Sequence, residues 1–170
     1  MYQRILLPLD GSAFSEQALP YAAAQAEHFQ AELILLRVLP PLPTSRGQES
    51  SASKWAEDYT ADLARQYLEN IAATIEEQNV RTQITIIEGH PHQDIVKYAE
   101  ENDVDLIVMC TRGHAGFSRW LMGSVADRVV RGANVPVLLV RARSETPQSV
   151  DAPSASIRDG YHETEQTDCA

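Results

Sequence analysis

Five short runs constrain this chain most: Arg4-Ile-Leu-Leu-Pro-Leu-Asp10, Glu32-Leu-Ile-Leu-Leu-Arg-Val38, Thr82-Gln-Ile-Thr-Ile-Ile87, Asp105-Leu-Ile-Val-Met109 and Val135-Pro-Val-Leu-Leu-Val140. Several are apolar at consecutive positions instead of every second one, the pattern of strands buried on both faces. The segments between them have helical spacing. Ala18, Leu19, Ala22, Ala23 and Ala26 recur at three- and four-residue intervals, predicting a helix from Ser15, its cap, to Phe29, with a kink at Pro20. From Lys54 to Gln78, the residues Trp55, Tyr59, Leu63, Tyr67, Leu68, Ile71 and Ile75 form one stripe, expected to face the core. Shorter helices are expected over Gln93–Glu100 and Ser124–Arg131. Five strands alternating with four helices predict an α/β fold: a doubly wound, Rossmann-like, five-stranded parallel sheet of order 3-2-1-4-5 with helices on both faces.

The pattern stops near Arg141. Residues 142–170 hold two arginines against six acids and few apolar side chains, so they are expected to form an acidic, disordered tail outside a domain spanning 1–141. Residues 39–53, rich in Pro, Ser and Gln, read as a loop, and no internal repeat is visible. The formal charge is −10. That balance argues against a sequence-independent grip on nucleic acid and against an anionic membrane surface. The two cysteines, Cys110 and Cys169, make no disulfide framework. Without a secretory leader or a long apolar span, the expected location is the cytoplasm.

Open parallel sheets bind ligands beyond the carboxyl ends of their strands, where the strand order reverses. Here that directs attention to the turns after Leu9 and after Met109. The second carries Arg112, Arg119, Arg128 and Arg131 against a single acid, Asp127, together with Gly113, Gly116 and Gly123 and the helix-starting Ser124. Glycines let backbone amides approach phosphate oxygens, and a helix start offers unpaired N–H groups. An ordinary reading stands beside this one: the glycines shape a loop, Ser124 and Asp127 cap a helix, and the arginines are solvated.

Met109-Cys110-Thr111-Arg112-Gly113, nine further residues, then Gly123-Ser124-Val125 and Val135-Pro-Val-Leu-Leu-Val140 resemble the universal stress protein family, as do Ile5-Leu-Leu-Pro-Leu-Asp10-Gly-Ser12 and the Gly89-His-Pro91 turn. The likeness covers residues 1–141. Its ATP-binding branch carries Gly-x2-Gly-x9-Gly-Ser or Thr, and Cys110 stands here at the first glycine. The resemblance implies that Pro8, Leu9, Val38 and Met109 line an adenine slot and that Asp10 contacts the ribose or a metal-bound phosphate. Gly113, Gly123, Ser124 and Val125 would then hold the phosphates, with the Cys110 side chain against the ribose or the first phosphate. It further implies ATP, AMP or another adenine nucleotide as ligand, Mg²⁺ arriving with it, and a homodimer through the edge strand 135–140. The role implied is a regulatory binding module of the stress response that has at most weak ATPase or autophosphorylating activity. The alternative is a nucleotide-independent interaction protein with an impaired glycine motif, meeting an unidentified protein partner.

Other chemistries find less support. There is no Gly-x4-Gly-Lys-Ser/Thr, no glycine triplet after the first strand, and no acidic pair of a receiver domain. Ser12 and Ser118 lie outside any Gly-x-Ser-x-Gly. His90, His92 and His114 read as loop and helix-start residues, not ligands, and Cys110 as a small apolar residue at a strand end, not a redox group. Asp10 also admits a plain reading as a turn former before Gly11.

Overall fold

A computed structural model describes residues 1–41, 51–112 and 123–142. In chain order the elements are β1 (Arg4–Pro8), α1 (Ala13–Glu16), α2 (Leu19–Phe29), β2 (Glu32–Leu39), α3 (Ser51–Glu76), β3 (Thr82–Glu88), α4 (Pro91–Glu101), β4 (Leu106–Arg112), α5 (Ser124–Gly132) and β5 (Val137–Ala142). The five strands form one sheet of order β3-β2-β1-β4-β5 with every pairing parallel, as the apolar runs predict.

Two cores, one on each face, explain why the runs are continuously apolar. Ile5 and Leu7 of β1, Leu33 and Leu35 of β2 and Val108 of β4 pack with Ala18, Ala22, Ala26, Leu68 and Ile75 beneath α2 and α3. Leu6, Ile34, Leu36, Ile107 and Met109 point the other way, against Ile95, Ala99, Ala126 and Val129 of α4 and α5. Each fully buried Leu or Ile stabilises the fold by about 1.5–3 kcal/mol relative to an exposed one.

Local structure departs from the sequence reading in four places. The segment after β1 is two helices instead of one kinked helix: Ser12, not Ser15, caps α1, and Pro20 sits in the first turn of α2. A proline inside a single helix would remove a backbone hydrogen bond, whereas in a first turn its missing N–H has no intrahelical acceptor to lose. On α3 the buried positions are Ala64, Leu68, Ala72 and Ile75, while Tyr59 and Leu63 are about half exposed (53% and 49%), so the apolar stripe is not all core. β5 begins at Val137, not Val135, because Pro136 lacks an N–H; its carbonyl still accepts from Ile107 N at 3.0 Å. β4 runs on past Met109 to Arg112, pairing Cys110 with Val140 of β5, so Cys110 lies in a strand and not in a loop. Gly113, Gly116, Arg119, most of the 39–53 loop and the tail beyond Ala142 lie outside the described residues.

Candidate functional site

Where β1 and β4 end side by side, a cavity of about 350 Å³ opens between the β1–α1 turn, the end of β2 and the starts of α4 and α5. Pro8, Leu9, Asp10, Val38, Met109, Cys110, Gly123, Ser124 and Val125 all line it, so nine of the ten residues singled out from sequence converge on one place. Gly113, the tenth, is outside the described residues. The cavity also takes Phe14, Ser15, Leu36, Pro91, Ile95 and Ala126. Two of these had a signal in the sequence: Leu36 lies two residues before Val38 and shares its face of β2, and Ile95 lies one helical turn after Pro91. Phe14 and Ser15 had none, because the short α1 is below the length at which periodicity can be read.

The β1–α1 rim is tied together by its own hydrogen bonds. The Asp10 carboxylate accepts from Ser12 N at 3.0 Å and from the Ser12 hydroxyl, and Asp10 N donates to Ser15 Oγ at 3.3 Å. Ser12 Oγ also caps α1 by accepting from Ser15 N at 3.2 Å, and Ser15 Oγ donates to Ser12 O at 2.9 Å. Burial alone would raise the Asp10 pKa; the bonds from Ser12 and Ser15 and the nearby Arg37 charge more than offset it and hold the carboxyl below its ordinary 3.8. Gly11, between these residues, has φ +78°, a conformation that strains any side chain.

The α5 rim differs. Gly123 occupies the N-cap position with ordinary extended angles (φ −53°, ψ 147°), and among the described residues no side chain caps the helix. Ser124 is the exposed first helical residue and not the cap. Asp127, which could have completed a capping box, pairs instead with Arg131 Nε at 3.0 Å. The first N–H groups of a helix have no intrahelical acceptor, so this wall of the cavity presents donors and a partial positive charge. A Cβ built on Gly123 meets no described residue within 4 Å. Glycine is therefore demanded there neither by the backbone angles nor by described neighbours; what it allows is close approach from the cavity side. Arg128 and Arg131 do not line the cavity: Arg128 Nη1 stands 3.4 Å from His92 Nε2, and Arg131 is held by Asp127.

At the α4 side Gly89 makes room for the Asp94 carboxylate, which accepts from His90 N; any Cβ at Gly89 would collide with it. His90 and His92 thus serve the start of α4, and no group of three metal-ligating side chains occurs among the described residues. The Cys110 thiol packs with the α2–α3 core; burial pushes its pKa up, the Ala18 backbone opposes this and the Asp10 charge adds to it, which favours the protonated thiol. No helix among the described residues is long and apolar enough to cross a membrane.

Known proteins are similar to this chain in sequence and in fold. Universal stress protein MJ0531 of Methanocaldococcus jannaschii is 33% identical over 141 residues, 83% of either chain. MJ0577 of the same organism is 31% identical over 158 residues, 85% of this chain and 98% of its own. The solved structure of MJ0577 superposes with a TM-score of 0.64 over 84% of this chain and 98% of that one. The fold also recurs in a universal stress protein solved in complex with cAMP (TM-score 0.62, 23% identity, 84% of this chain and 98% of that one) and in one from Archaeoglobus fulgidus in complex with dAMP (0.60, 24%, 81% and 97%). The family model for universal stress proteins matches residues 1–141, the stretch that carries both rims of the cavity. With that match, and with relatives aligned over nearly their full length, this chain belongs to the universal stress protein family.

Proposed function

We propose that this protein binds an adenine nucleotide, ATP in the first instance, in the cavity at the ends of β1 and β4, and works as a regulatory binding module of the stress response. The observation that carries the reading is the pairing of an apolar slot with an uncapped helix start in one cavity. Pro8, Leu9, Leu36, Val38, Met109 and Ile95 offer a purine ring flat, apolar contact. Gly123, Ser124 and Val125, joined by Gly113, hold the phosphates through backbone amides and the Ser124 hydroxyl. Asp10, already ionised and oriented by Ser12, accepts from the ribose hydroxyls. The cAMP and dAMP of the two complexed relatives belong to the same ligand class.

Mg²⁺ fits this site only as a companion of phosphate. Among the described residues Asp10 is the one carboxylate on the cavity wall, and one of its oxygens is engaged by Ser12. Mg²⁺ prefers six oxygen ligands and keeps several waters, so phosphate oxygens would supply most of the rest. Asp10 and the Ser124 hydroxyl are side chains of the described lining that could meet it.

We further propose a homodimer through β5, which is a sheet edge with Val137, Leu138 and Leu139 half buried; an apolar edge of this kind is a hazard unless paired. A buried, protonated Cys110 suits a reducing cytoplasm. Isothermal titration of the purified chain with ATP, with and without Mg²⁺, tests the central reading: saturable one-site heat is expected. No heat at high protein concentration, from a sample free of co-purified nucleotide, removes it.

A further inference from the structure

Arg37 is a charged residue in the middle of a strand, and the proposed nucleotide site makes no use of it. Alternation along β2 turns it to the same side as Leu35, toward α1, α2 and α3, while its neighbours Leu36 and Val38 line the cavity on the other side. A cation placed there needs partners. Its Nη1 donates to Leu9 O at 3.2 Å, and the guanidinium rests against Gly11: a Cβ built on that glycine would stand 3.2 Å from Nη1 and 3.6 Å from Cζ. Leu9 N donates to Leu36 O at 2.8 Å. Both polar groups of Leu9 are thus bound to successive residues of β2, and the Arg37 side chain carries the β1–β2 tie one residue beyond the end of β1.

The other groups facing this cation come from three elements. Asp10 belongs to the β1–α1 turn, Glu16 to α1 and Tyr67 to α3, whose hydroxyl donates to Glu16 Oε1 at 2.9 Å. Burial and the Glu16 carboxylate push the Tyr67 hydroxyl far up, so it stays neutral, while the Arg37 charge favours ionised Asp10. The guanidinium Nε is enclosed and has no hydrogen-bond partner among the described residues, so the contact with Leu9 O, backed by the charge of Asp10, orients the group.

We propose that Arg37 is a positioning residue of the cavity: from beneath the β1–α1 turn it clamps Leu9 and Gly11 to β2, and so sets where Asp10 stands without itself touching the ligand. The proposal rests on the nucleotide reading for its effect on affinity, but the clamp can be measured without any ligand.

The test compares the full-length chain with R37M and R37K by three readouts: the Asp10 carboxyl titration followed by ¹³C NMR, amide hydrogen exchange at Gly11 and Ser12, and ATP affinity by calorimetry. R37M is expected to shift the Asp10 titration upward, speed exchange at both amides and weaken ATP binding roughly tenfold, the scale of losing one charged hydrogen bond. R37K keeps the charge but loses the planar fork; the Asp10 titration should return toward that of the parent while affinity recovers only in part, remaining about threefold weaker. A folded R37M with unchanged titration, exchange and affinity overturns the proposal. Should R37M fail to fold, R37K decides: exchange and affinity equal to the parent's overturn it. If the parent chain binds no ATP, the nucleotide reading falls, and titration and exchange alone judge the clamp, movement in both supporting it and movement in neither overturning it.

Discussion

The two rims of the cavity are built by opposite rules. On the β1–α1 side the polar groups are paired within the fold: Asp10 with Ser12, Ser15 with Ser12, Leu9 with Arg37 and Leu36, all about a Gly11 whose φ of +78° other residues resist. On the α5 side, among the described residues, the helix begins with no side-chain cap, Ser124 is exposed, and a Cβ built on Gly123 would meet nothing within 4 Å. Among the described residues, one rim pairs its polar groups within the fold and the other shows no such pairing at its helix start. A site that must orient a ribose and receive phosphates benefits from that division, because a preorganised wall lowers the ordering entropy of binding while unpaired amides give the anion its affinity.

Substitutions on the two rims should therefore part company in stability and affinity. Gly123→Val puts a branched side chain on the cavity rim and is expected to weaken ATP binding by about 100-fold or more, as several phosphate hydrogen bonds are lost together, while stability falls by only about 1 kcal/mol from a poorer N-cap. Calorimetry and urea denaturation on the same preparation check both halves. Unchanged affinity would place the phosphates elsewhere. Gly11→Ala should show the reverse emphasis, destabilising by about 1–2 kcal/mol because a Cβ is forced into the left-handed region against Arg37. A denaturation midpoint equal to the parent's would break the contrast.

Ser12→Ala removes a cap and the hydroxyl donor to Asp10 at once, leaving the backbone N–H donor, at about 0.5–2 kcal/mol near neutral pH. The sign of its pH dependence follows from the carboxyl. A folded-state pKa held below the unfolded value of about 3.8 stabilises the protein above that value, and the gain is lost as pH falls through the folded pKa. Ser12→Ala should flatten this acid limb; a parent-like slope below pH 4 would show that Ser12 does not set the Asp10 ionisation. Ser124→Ala is the mildest change. Because Ser124 caps nothing, stability should move by less than about 0.5 kcal/mol, with ATP binding weakened some three- to tenfold by loss of one hydroxyl contact. A stability loss of the size expected for a cap would contradict the geometry described for α5.

Much of this was legible in the residues because it depends on burial. Ile5 to Leu7 and Leu33 to Leu36 can be apolar at every position only if both faces of their strands are covered, and that requirement fixes the layers and points to the switch point between β1 and β4. What could not be read depends on which partner a side chain chooses. Ser12 and Ser15 are both competent caps, and spacing alone does not say that Ser12 takes the role. Asp127 sits where a capping box would use it, yet Arg131 four residues on claims it. Tyr59 and Leu63 fall on the α3 stripe yet remain about half exposed, and spacing alone does not say how much of a long stripe is covered. Arg37 stands within the second apolar run with nothing beside it in sequence to name its partner, and its hold on Leu9 arises only once β1 and β2 lie side by side in register.

The central claim is that the uncapped start of α5 receives the phosphates of an adenine nucleotide in this cavity. Titrating ATP into ¹⁵N-labelled protein and following the amide resonances addresses it residue by residue. The account predicts the largest, saturable shifts at Ser124, Val125 and Ala126, with smaller ones at Leu9, Asp10 and Val38. Shifts confined to surfaces away from α5, or none at saturating ATP, would contradict it.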